Sequence, residues 1–492
     1  MIMENRSILH GIEPCAVFEI FCELSSVPRV PGKQRLISDF VAAYAKKLGL
    51  PTTQDHALNV VVTKAASPGY ENASVVTLQA HMDMVCEKRP EVVHDFEKDP
   101  LCLVREGNVI QADGTTLGAD NGIGMAFMLA LLADQKARHP ALEAVFTTDE
   151  ETDMGGALHL DYTRLQGSLV LNLDGPAVGS CGCGELELAL CLEKKTAPLV
   201  TQSHFYTLEV YGLQGGHTGM DAMKERGNAI ILLNRILTEL AARVDFQIIR
   251  FQGGAAMSSA FARSAQCVLA LLPQTQPDAT AAVNACSKNL QKELEQKEPG
   301  LQVSFTECPR CADDAWDSET TDKLTSLLSL LPDGVFSLNQ QFLGAMESSA
   351  NTGVVETRSH DILVRTLIRS SVAGKKYFLL EKISLLCRLL GIDCRVTRDL
   401  PHWESRVDTR LLPLLKEAYP EHSLLFFQAT VECGIFSANM PRASILSLAP
   451  PFYNAHSPAE YILIDETQEY WFRFLHFLSL LNKETLGGYG HG

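Results

Sequence analysis

The sequence lacks any long apolar segment and any excess of positive charge. Among its 492 residues, no apolar run approaches the roughly 18 residues that a transmembrane helix needs. Residues 1–14 have no apolar core of the kind that a signal peptide carries. These absences predict a cytoplasmic protein. The net charge of −17 argues against nucleic acids and membranes as partners, and solubility is its simplest explanation.

Closely spaced groups of cysteines are also scarce. The sequence has 14 cysteines, but only Cys181 with Cys183 and Cys308 with Cys311 form close pairs. No second pair stands at the spacing of a zinc finger, which argues against a structural zinc site built from cysteines. In a cytoplasmic protein the cysteines are expected to be free thiols and not disulfides.

Alternating strand and helix patterns predict an α/β fold with a mixed, mostly parallel sheet. Apolar runs at 73–78, 141–147 and 168–173 are typical of buried strands, and residues 123–133 have the apolar spacing of a helix. Strands that alternate with helices favour parallel pairing. In such sheets, functional sites form beyond the carboxyl ends of the strands.

The pattern changes near residue 185 and changes back near residue 400. Strand-like alternation at 185–192 and 206–211 precedes a helical pattern at 228–242, and a second strand and helix follow at 362–369 and 376–390. The predicted domains are a catalytic domain in two parts, 1–185 and 400–492, and an inserted two-lobed α+β lid domain, 186–399. The glycine-rich end, 487–492, is predicted to be disordered.

Acidic and imidazole side chains follow the predicted strands. His81 and Asp83 come after the first of them, and residues two apart on a strand face the same way, so the carboxylate can orient a metal-bound imidazole. Glu150 and Glu151 follow the second strand, and Asp174 follows the third. Together with Asp120 in G-A-D-N-G at 118–122 and His456 in A-H-S-P at 455–458, these residues form a metal-site hypothesis.

Six motifs stand in one order along the chain. They are H-M-D-M-V at 81–85, G-A-D-N-G at 118–122, D-E-E at 149–151, N-L-D at 172–174, G-G-H-T-G at 215–219 and A-H-S-P at 455–458. In this order they resemble the aminoacyl-histidine dipeptidases, also called cytosol non-specific dipeptidases, in the clan of di-zinc peptidases. The segment G-A-M-E-S-S-A-N-T-G at 344–353 is similar to the dipeptidase branch.

The resemblance implies a role for each matching residue. The implied metal ligands are His81, Asp120, Glu151, Asp174 and His456. Asp120 matches the carboxylate that bridges both ions, Asp83 the group that orients His81, and Glu150 the general base. His217 matches a lid histidine that reaches the substrate. The peptide bond between Asp120 and Asn121 is expected to be cis, as is typical of the wider clan.

Substrate-binding candidates are less specific. Arg263 and Arg369 could each hold a substrate carboxylate through two parallel hydrogen bonds, or could each be a structural ion pair. Asn351, in the dipeptidase-like segment, is a third candidate. Ser258 and Ser259 stand where the family often has an asparagine, which leaves the fine substrate specificity open.

The function implied is hydrolysis of dipeptides, Xaa-His among the candidates, by a water activated at two zinc ions with Glu150 as the base. Histidine and carboxylate ligands suit zinc, with cobalt and manganese as alternatives. An N-acyl amino-acid amidohydrolase or a tripeptidase on the same centre is one alternative, and an inactive binding protein of the same fold is another. A homodimer is left open, as is whether His217 acts in its own chain.

Overall fold

The computed structural model describes residue 5 and residues 8–175, 178–254 and 258–482. The predicted disordered end, 487–492, lies outside the described residues. The chain divides into two compact units. The first unit contains residues 1–182, 403–427 and 431–492, and the second contains residues 183–402 and 428–430.

The first unit contains helices and strands from both ends of the chain. Its helices are α1 (Cys15–Leu24), α2 (Arg35–Lys47), α3 (Ala119–Ala133), α4 (Gly155–His159), α9 (Leu411–Ala418), α10 (Cys433–Asn439) and α11 (Ile464–Leu480). Its strands are β1 (Thr52–Gln54), β2 (Val60–Lys64), β3 (Val76–His81), β4 (Leu103–Glu106), β5 (Val109–Ala112), β6 (Leu142–Thr147), β7 (Leu169–Asn172), β8 (Gly179–Gly182), β20 (Leu425–Phe427), β21 (Ser444–Ser447) and β22 (Tyr461–Leu463).

An eight-stranded mixed sheet forms the centre of this unit. Its strand order is β1-β2-β6-β3-β7-β21-β8-β20, and a smaller sheet has the order β22-β5-β4. In the large sheet, β6, β3, β7 and β21 run parallel to one another. Strand β3 is buried along its whole length, as expected of a central parallel strand. The sequence-based prediction of an α/β fold with a mixed sheet is confirmed.

Helix α3 is deeply buried next to this sheet. Its residues from Asn121 to Leu132 are all buried, and the helix packs against α1 and β3. A helix that is apolar on every side has to be surrounded by other elements, because any exposed face would place apolar surface in water. Asp120 immediately precedes this apolar stretch and so lies at the edge of the core.

The second unit has eleven strands and four α-helices among its described residues. The helices are α5 (Ala229–Ala241), α6 (Gln276–Glu293), α7 (Ser318–Leu330) and α8 (Ala373–Leu390). The strands are β9 (Gly184–Glu193), β10 (Thr196–Pro198), β11 (His204–Tyr211), β12 (Gln247–Gly254), β13 (Ala265–Leu271), β14 (Gln302–Cys308), β15 (Asp314–Trp316), β16 (Gly334–Leu338), β17 (Met346–Thr357), β18 (Asp361–Ser370) and β19 (Asp393–Leu400).

One antiparallel sheet of nine strands runs through the second unit. Its order is β14-β11-β13-β12-β17-β18-β9-β19, with β16 paired to β17. The strands predicted at 185–192 and 362–369, one from each predicted group, lie in β9 and β18 and pair with each other. The two groups therefore belong to one continuous sheet. The domain boundaries at 185 and 399 stay a prediction.

Two sequence-level expectations concern the cysteines and the membrane. All 14 cysteines are free thiols. Within the described ranges, none of the helices is both long enough and apolar enough to cross a bilayer.

Candidate metal centre

Three neighbouring parallel strands of the first unit end at one edge of the large sheet. His81 is the last residue of β3, Glu150 and Glu151 follow β6, and Asp174 follows β7. Because β3 pairs in parallel with both β6 and β7, the carboxyl ends of the three strands meet. The fold thereby collects side chains that are far apart in the sequence.

The site residues form three overlapping groups of ligand atoms. Within each group, the candidate ligand atoms all lie within 4.8 Å of one another. The groups are His81 with Glu150 and Glu151, His81 with Asp120 and Asp174, and Asp120 with Glu151 and His456. The structure thus brings together all five residues that the resemblance implies as ligands, and places the implied base, Glu150, beside them.

Asp120 lies between two imidazoles and contacts each with a different oxygen. Its Oδ1 is 3.1 Å from Nε2 of His81, and its Oδ2 is 3.3 Å from Nε2 of His456. Burial favours the neutral acid, but the contacts with His456 and His81 outweigh burial and hold the pKa of Asp120 below its usual range. The peptide bond from Asp120 to Asn121 is cis, as expected from the resemblance.

Asp83 connects the His81 strand to the turn that carries the two glutamates. Its Oδ1 lies 3.5 Å from Nδ1 of His81 and accepts the backbone N–H of Glu150 at 3.2 Å. Its Oδ2 accepts the backbone N–H of Glu151 at 3.1 Å. The sequence motif predicted the contact with the imidazole, but it did not predict the two hydrogen bonds to the backbone of the glutamate turn.

The carboxylates of the centre repel one another when no cation is present. Burial raises the pKa of Glu150 well above its ordinary value, and the charges of Asp174 and Glu151 raise it further. Burial, followed by the charge of Asp120, raises the pKa of Asp174 to about 7. Cations among these groups would favour the ionised forms, since they supply the missing opposite charge.

The donor set fits divalent cations. One oxygen of Glu151, Oε1, is buried and has no hydrogen-bond partner among the described residues. A buried carboxylate oxygen without a donor is unfavourable unless a cation or a water meets it. Imidazole nitrogens and carboxylate oxygens are the ligands of zinc sites in enzymes. The atoms at this edge of the sheet could therefore hold two divalent ions that share Asp120.

A buried polar network next to the centre was not predicted from the sequence. The hydroxyl of Thr147 donates to Oε2 of Glu432 at 2.7 Å, and Gln79 donates to the same oxygen. Asn172 donates to the carbonyl oxygen of the Gln79 side chain and accepts the backbone N–H of Asp174 at 3.1 Å. A polar Gln79 two residues before His81 was a signal, because it interrupts an apolar strand. Glu432 had no comparable signal.

Both ring nitrogens of His217, the predicted catalytic histidine of the second unit, face hydrogen-bond donors. Nδ1 accepts the backbone N–H groups of Gly219 at 3.2 Å and Met220 at 3.1 Å, which favours a proton on Nε2. Nε2 lies 3.3 Å from Nη2 of Arg369, and because a guanidinium has no acceptor, this contact favours an Nε2 without a proton.

Arg369 is buried in an ion pair of the second unit. Its Nη1 lies 2.8 Å from Oε2 of Glu185 and also donates to Thr430 at 2.9 Å. Arg398 contacts the other oxygen of Glu185 at 2.8 Å. Of the two alternatives that the sequence left open for Arg369, the structure contains the ion pair. Contact with a substrate carboxylate stays a prediction.

The other two substrate-binding candidates are also in the second unit. Arg263 is exposed, and its Nε donates to the carbonyl oxygen of Leu213 at 3.3 Å. Asn351 is buried, and its Nδ2 donates to the carbonyl oxygens of Ser258 at 3.1 Å and Ala260 at 3.2 Å. Ser258, at the position where an asparagine is common, donates to Glu187. Asn351 thus positions the 258–260 segment, and its contact with substrate stays a prediction.

Known proteins resemble this chain over nearly its full length. The cytosol non-specific dipeptidase of Escherichia coli strain K12 is 32% identical over 477 residues, which cover 94% of this chain and 97% of the relative. The solved structure of aminoacylhistidine dipeptidase from Vibrio alginolyticus has 29% identity and a TM-score of 0.83, and the match covers 97% of this chain and 99% of that one.

More distant structures share the fold alone. A tripeptidase from Staphylococcus aureus is 14% identical with a TM-score of 0.55, and the match covers 96% of this chain and 99% of that one.

The family model described as Peptidase family M20/M25/M40 matches residues 77–475. Since this match covers more than half of the sequence, the chain belongs to peptidase family M20/M25/M40 and is a metal-dependent hydrolase of peptide bonds.

Proposed function

We propose that this chain hydrolyses dipeptides at two zinc ions held by His81, Asp120, Glu151, Asp174 and His456. The observation that carries the proposal is the arrangement of these residues and Glu150 in three groups that overlap, with every ligand atom of a group within 4.8 Å of the others. Two of the three groups share Asp120, as a pair of ions with one common carboxylate would require. Cobalt and manganese are compatible with the same ligands.

Bound divalent ions would lower the pKa of water and stabilise negative charge on the carbonyl oxygen of the substrate. Glu150 is the proposed general base, which takes a proton from water and passes it to the leaving amine. Burial raises the pKa of the Glu150 carboxyl above its ordinary value in the metal-free site, which favours proton uptake by this group. Asp83 contributes by holding the backbone of Glu150 in place at 3.2 Å.

His217 is the proposed donor to the oxygen on which negative charge develops. The two backbone N–H groups on Nδ1 support this role, because they favour a proton on Nε2, which would then donate to the substrate oxygen. The guanidinium of Arg369, which can only donate, lies 3.3 Å from Nε2 and would have to move away from it for that donation. The same backbone contacts prevent Nδ1 from acting as the donor.

Arg369, Arg263 and Asn351 are the proposed substrate-binding residues. Glu185 holds the guanidinium groups of Arg369 and Arg398 at 2.8 Å each, and two neighbouring guanidinium groups attract a carboxylate such as a peptide C-terminus. Exposure of Arg263 leaves its guanidinium accessible to a ligand. Asn351 would act on the substrate through the 258–260 segment that it holds.

The identity of the substrate is supported by relatives. The proteins from Escherichia coli and Vibrio alginolyticus are named as a non-specific dipeptidase and an aminoacylhistidine dipeptidase, respectively. We infer that this chain accepts unblocked dipeptides, including Xaa-His. The first name also supports a location in the cytosol. The break between the two large sheets, near residue 183, supports an inserted domain with boundaries close to 185 and 399.

A panel of substrates tests the proposal. The purified chain would be loaded with zinc and supplied with free dipeptides, N-acetylated dipeptides, tripeptides and N-acyl amino acids at equal concentrations. The expected result is turnover of free dipeptides, with Xaa-His among them, at the highest kcat/KM. A higher kcat/KM for tripeptides or N-acyl amino acids would replace the proposed substrate class, and no turnover of any of them would indicate a binding protein.

A further inference from the structure

Glu460 holds the segment that leads into α3 by three backbone hydrogen bonds. Its Oε2 accepts the N–H groups of Leu117 and Gly118, each at 2.8 Å, and its Oε1 accepts the N–H of Asp120 at 3.1 Å. Glu460 is only 2% exposed, so water competes little for these bonds. Hydrogen bonds to a buried carboxylate are stronger than neutral ones. One side chain thus fixes the backbone of the residue that lies between the two imidazoles.

Arg29 holds the same turn from its carbonyl side. The buried guanidinium donates through Nη2 to the carbonyl oxygen of Gly118, and through Nη1 to that of Asp83 at 3.2 Å. The Gly118 residue is therefore bound by a carboxylate at its N–H and by a guanidinium at its carbonyl. The opposite charges of Glu460 and Arg29 make the burial of each less unfavourable.

The turn is closely packed around Gly118. Gly118 has a φ of 64°, in the left-handed region that favours glycine. A Cβ at this position would lie 2.4 Å from Nη2 of Arg29 and 2.6 Å from the sulfur of Met84. The backbone before Asp120 is consequently set by close packing as well as by hydrogen bonds.

His456 and Glu460 belong to one closed loop. Tyr453 and Tyr461 exchange two backbone hydrogen bonds, at 2.9 and 3.0 Å, and their rings stack with centroids 4.9 Å apart. Within the loop, the hydroxyl of Ser457 donates to the carbonyl oxygen of Asn454 at 2.7 Å. A loop closed in this way moves as a unit, so that the backbone contacts of Glu460 also set the place of His456.

We propose that Glu460 is a positioning residue for the metal centre, which keeps Asp120 and His456 in register. The inference rests on the proposed two-metal function. Oδ2 of Asp120 and Nε2 of His456 lie 3.3 Å apart although they come from segments more than 300 residues apart in the chain. Glu460 also joins these two segments directly, through the three N–H groups that it binds.

The two ion sites should depend unequally on Glu460. The group of Asp120, Glu151 and His456 needs the loop and the turn in register. The group of His81, Asp120 and Asp174 needs the turn but not the loop. Loss of the Glu460 contacts therefore weakens the ion that His456 binds more than the other ion. A residue with a purely structural role would weaken both ions to the same extent.

The test is metal binding by Glu460→Gln. A glutamine has one acceptor oxygen where the glutamate has two, so it cannot accept all three N–H groups at the same sites. The metal-free full-length chain would be titrated with zinc against a chromophoric chelator, and bound zinc counted by mass spectrometry. The expected result is one ion bound as in the unsubstituted chain and a second bound roughly 10–100-fold more weakly. Hydrogen exchange of the amides at 117–120 should become faster.

Glu466→Gln is the matched control. Glu466 accepts a hydrogen bond from the hydroxyl of Tyr453 at 2.7 Å, so this substitution removes a carboxylate at the base of the same loop. The control should bind both ions with unchanged affinity. Glu460→Asp, which keeps the charge on a shorter side chain, should show a smaller unequal loss and serves if the glutamine variant does not fold.

The outcomes separate this inference from the function on which it rests. Equal affinities for both ions in the Glu460 variants, whether unchanged or weakened together, would overturn the positioning role. If the unsubstituted chain itself binds fewer than two ions, the two-metal function is wrong and the comparison of variants loses its basis, which also overturns the inference. Unequal loss confined to the Glu460 variants supports it.

Discussion

The carboxylate of Asp83 accepts the backbone N–H of Glu151 at 3.1 Å and thereby ties the end of β3 to the turn after β6. These two strands are parallel neighbours, so one side chain reaches from one strand end to the next. The imidazole of His81 and the two glutamates are consequently held by a single group. Asp83 therefore holds the turn that carries the two glutamates in addition to contacting one histidine.

Asp83→Ala should weaken metal binding roughly 10–100-fold, because groups that orient ligands typically contribute that much. Both the imidazole contact and the two backbone contacts are lost. The measurement is competition for zinc with a chelator of known affinity. Asp83→Asn, which keeps one acceptor oxygen, should lose less. An alanine variant with unchanged affinity would show that these contacts do not matter to the ions.

Glu150→Ala should keep two ions and lose turnover by roughly 10²–10⁴-fold, since a general base contributes about that factor. The measurements are kcat on a dipeptide and zinc per chain by mass spectrometry. Glu151→Ala is the matched comparison, because the neighbouring residue is the proposed ligand and its removal should release zinc. If Glu150→Ala loses zinc and keeps its activity per bound ion, the two roles have been assigned the wrong way round.

Removal of the metals should abolish turnover and lower the thermal stability. Without cations, the closely spaced carboxylates of Asp120, Glu150, Glu151 and Asp174 repel one another. The measurement is the midpoint of thermal unfolding after treatment with a chelator and after zinc, cobalt or manganese is added back. A midpoint that does not respond to any of these ions would contradict a metal site among these residues.

The sequence predicted the centre better than its surroundings. The site residues His81, Glu150, Glu151 and Asp174 could be predicted because each follows an apolar run, and the ends of parallel strands converge. The roles of Arg29, Glu432 and Glu460 could not be predicted from the sequence. Each is a single charged residue whose partners come from distant segments, and neither periodicity nor spacing records such contacts. Only tertiary packing determines whether a charged group is buried and which residues it contacts.

The fold shows the same division between local and distant information. Apolar spacing predicted a helix over 123–133, and the structure contains α3 there, from Ala119 to Ala133. The pairing of β12 with β17, which joins two sets of strands in one sheet, had no sequence signal. Strand pairing across a hundred residues or more depends on which strands meet in the folded chain, and neither strand carries a local signal for its partner.

Glu432 should make the metal-free chain less stable as the pH rises. Burial raises the pKa of its carboxyl to about 8 in the folded chain, above the roughly 4.3 of an unfolded glutamate. The protonated form therefore contributes stability that is fully present below about pH 4 and is lost as the pH rises to about 8. Glu432→Gln removes this dependence, so its stability relative to the unsubstituted chain should increase across that range by a few kcal/mol at most.

Urea unfolding of metal-free chains between pH 5 and pH 8 measures this effect. Glu106→Gln, an exposed glutamate on β4, is the control and should show no change in relative stability over the same range. The side chain introduced by Glu432→Gln can still accept hydrogen bonds from Thr147 and Gln79, so we expect the variant to fold. A relative stability that stays constant with pH would mean that Glu432 is ionised in the folded chain.

His217 should act within its own chain. The sequence insertion is large enough to hold two strand-and-helix groups, and the second group could take the place that a partner's domain would otherwise fill. Exchange of the histidine between subunits is then unnecessary, whether or not the protein dimerises.

Mixing two inactive variants tests this prediction. His217→Ala and Glu150→Ala chains would be combined in equal amounts under conditions that allow subunits to exchange, and each variant alone would serve as the control. If His217 acts within its own chain, no mixed dimer contains an intact site and activity stays absent. If the histidine crosses to the partner, half of the dimers would be mixed with one intact site in each, and about a quarter of the unsubstituted activity would return by mass action.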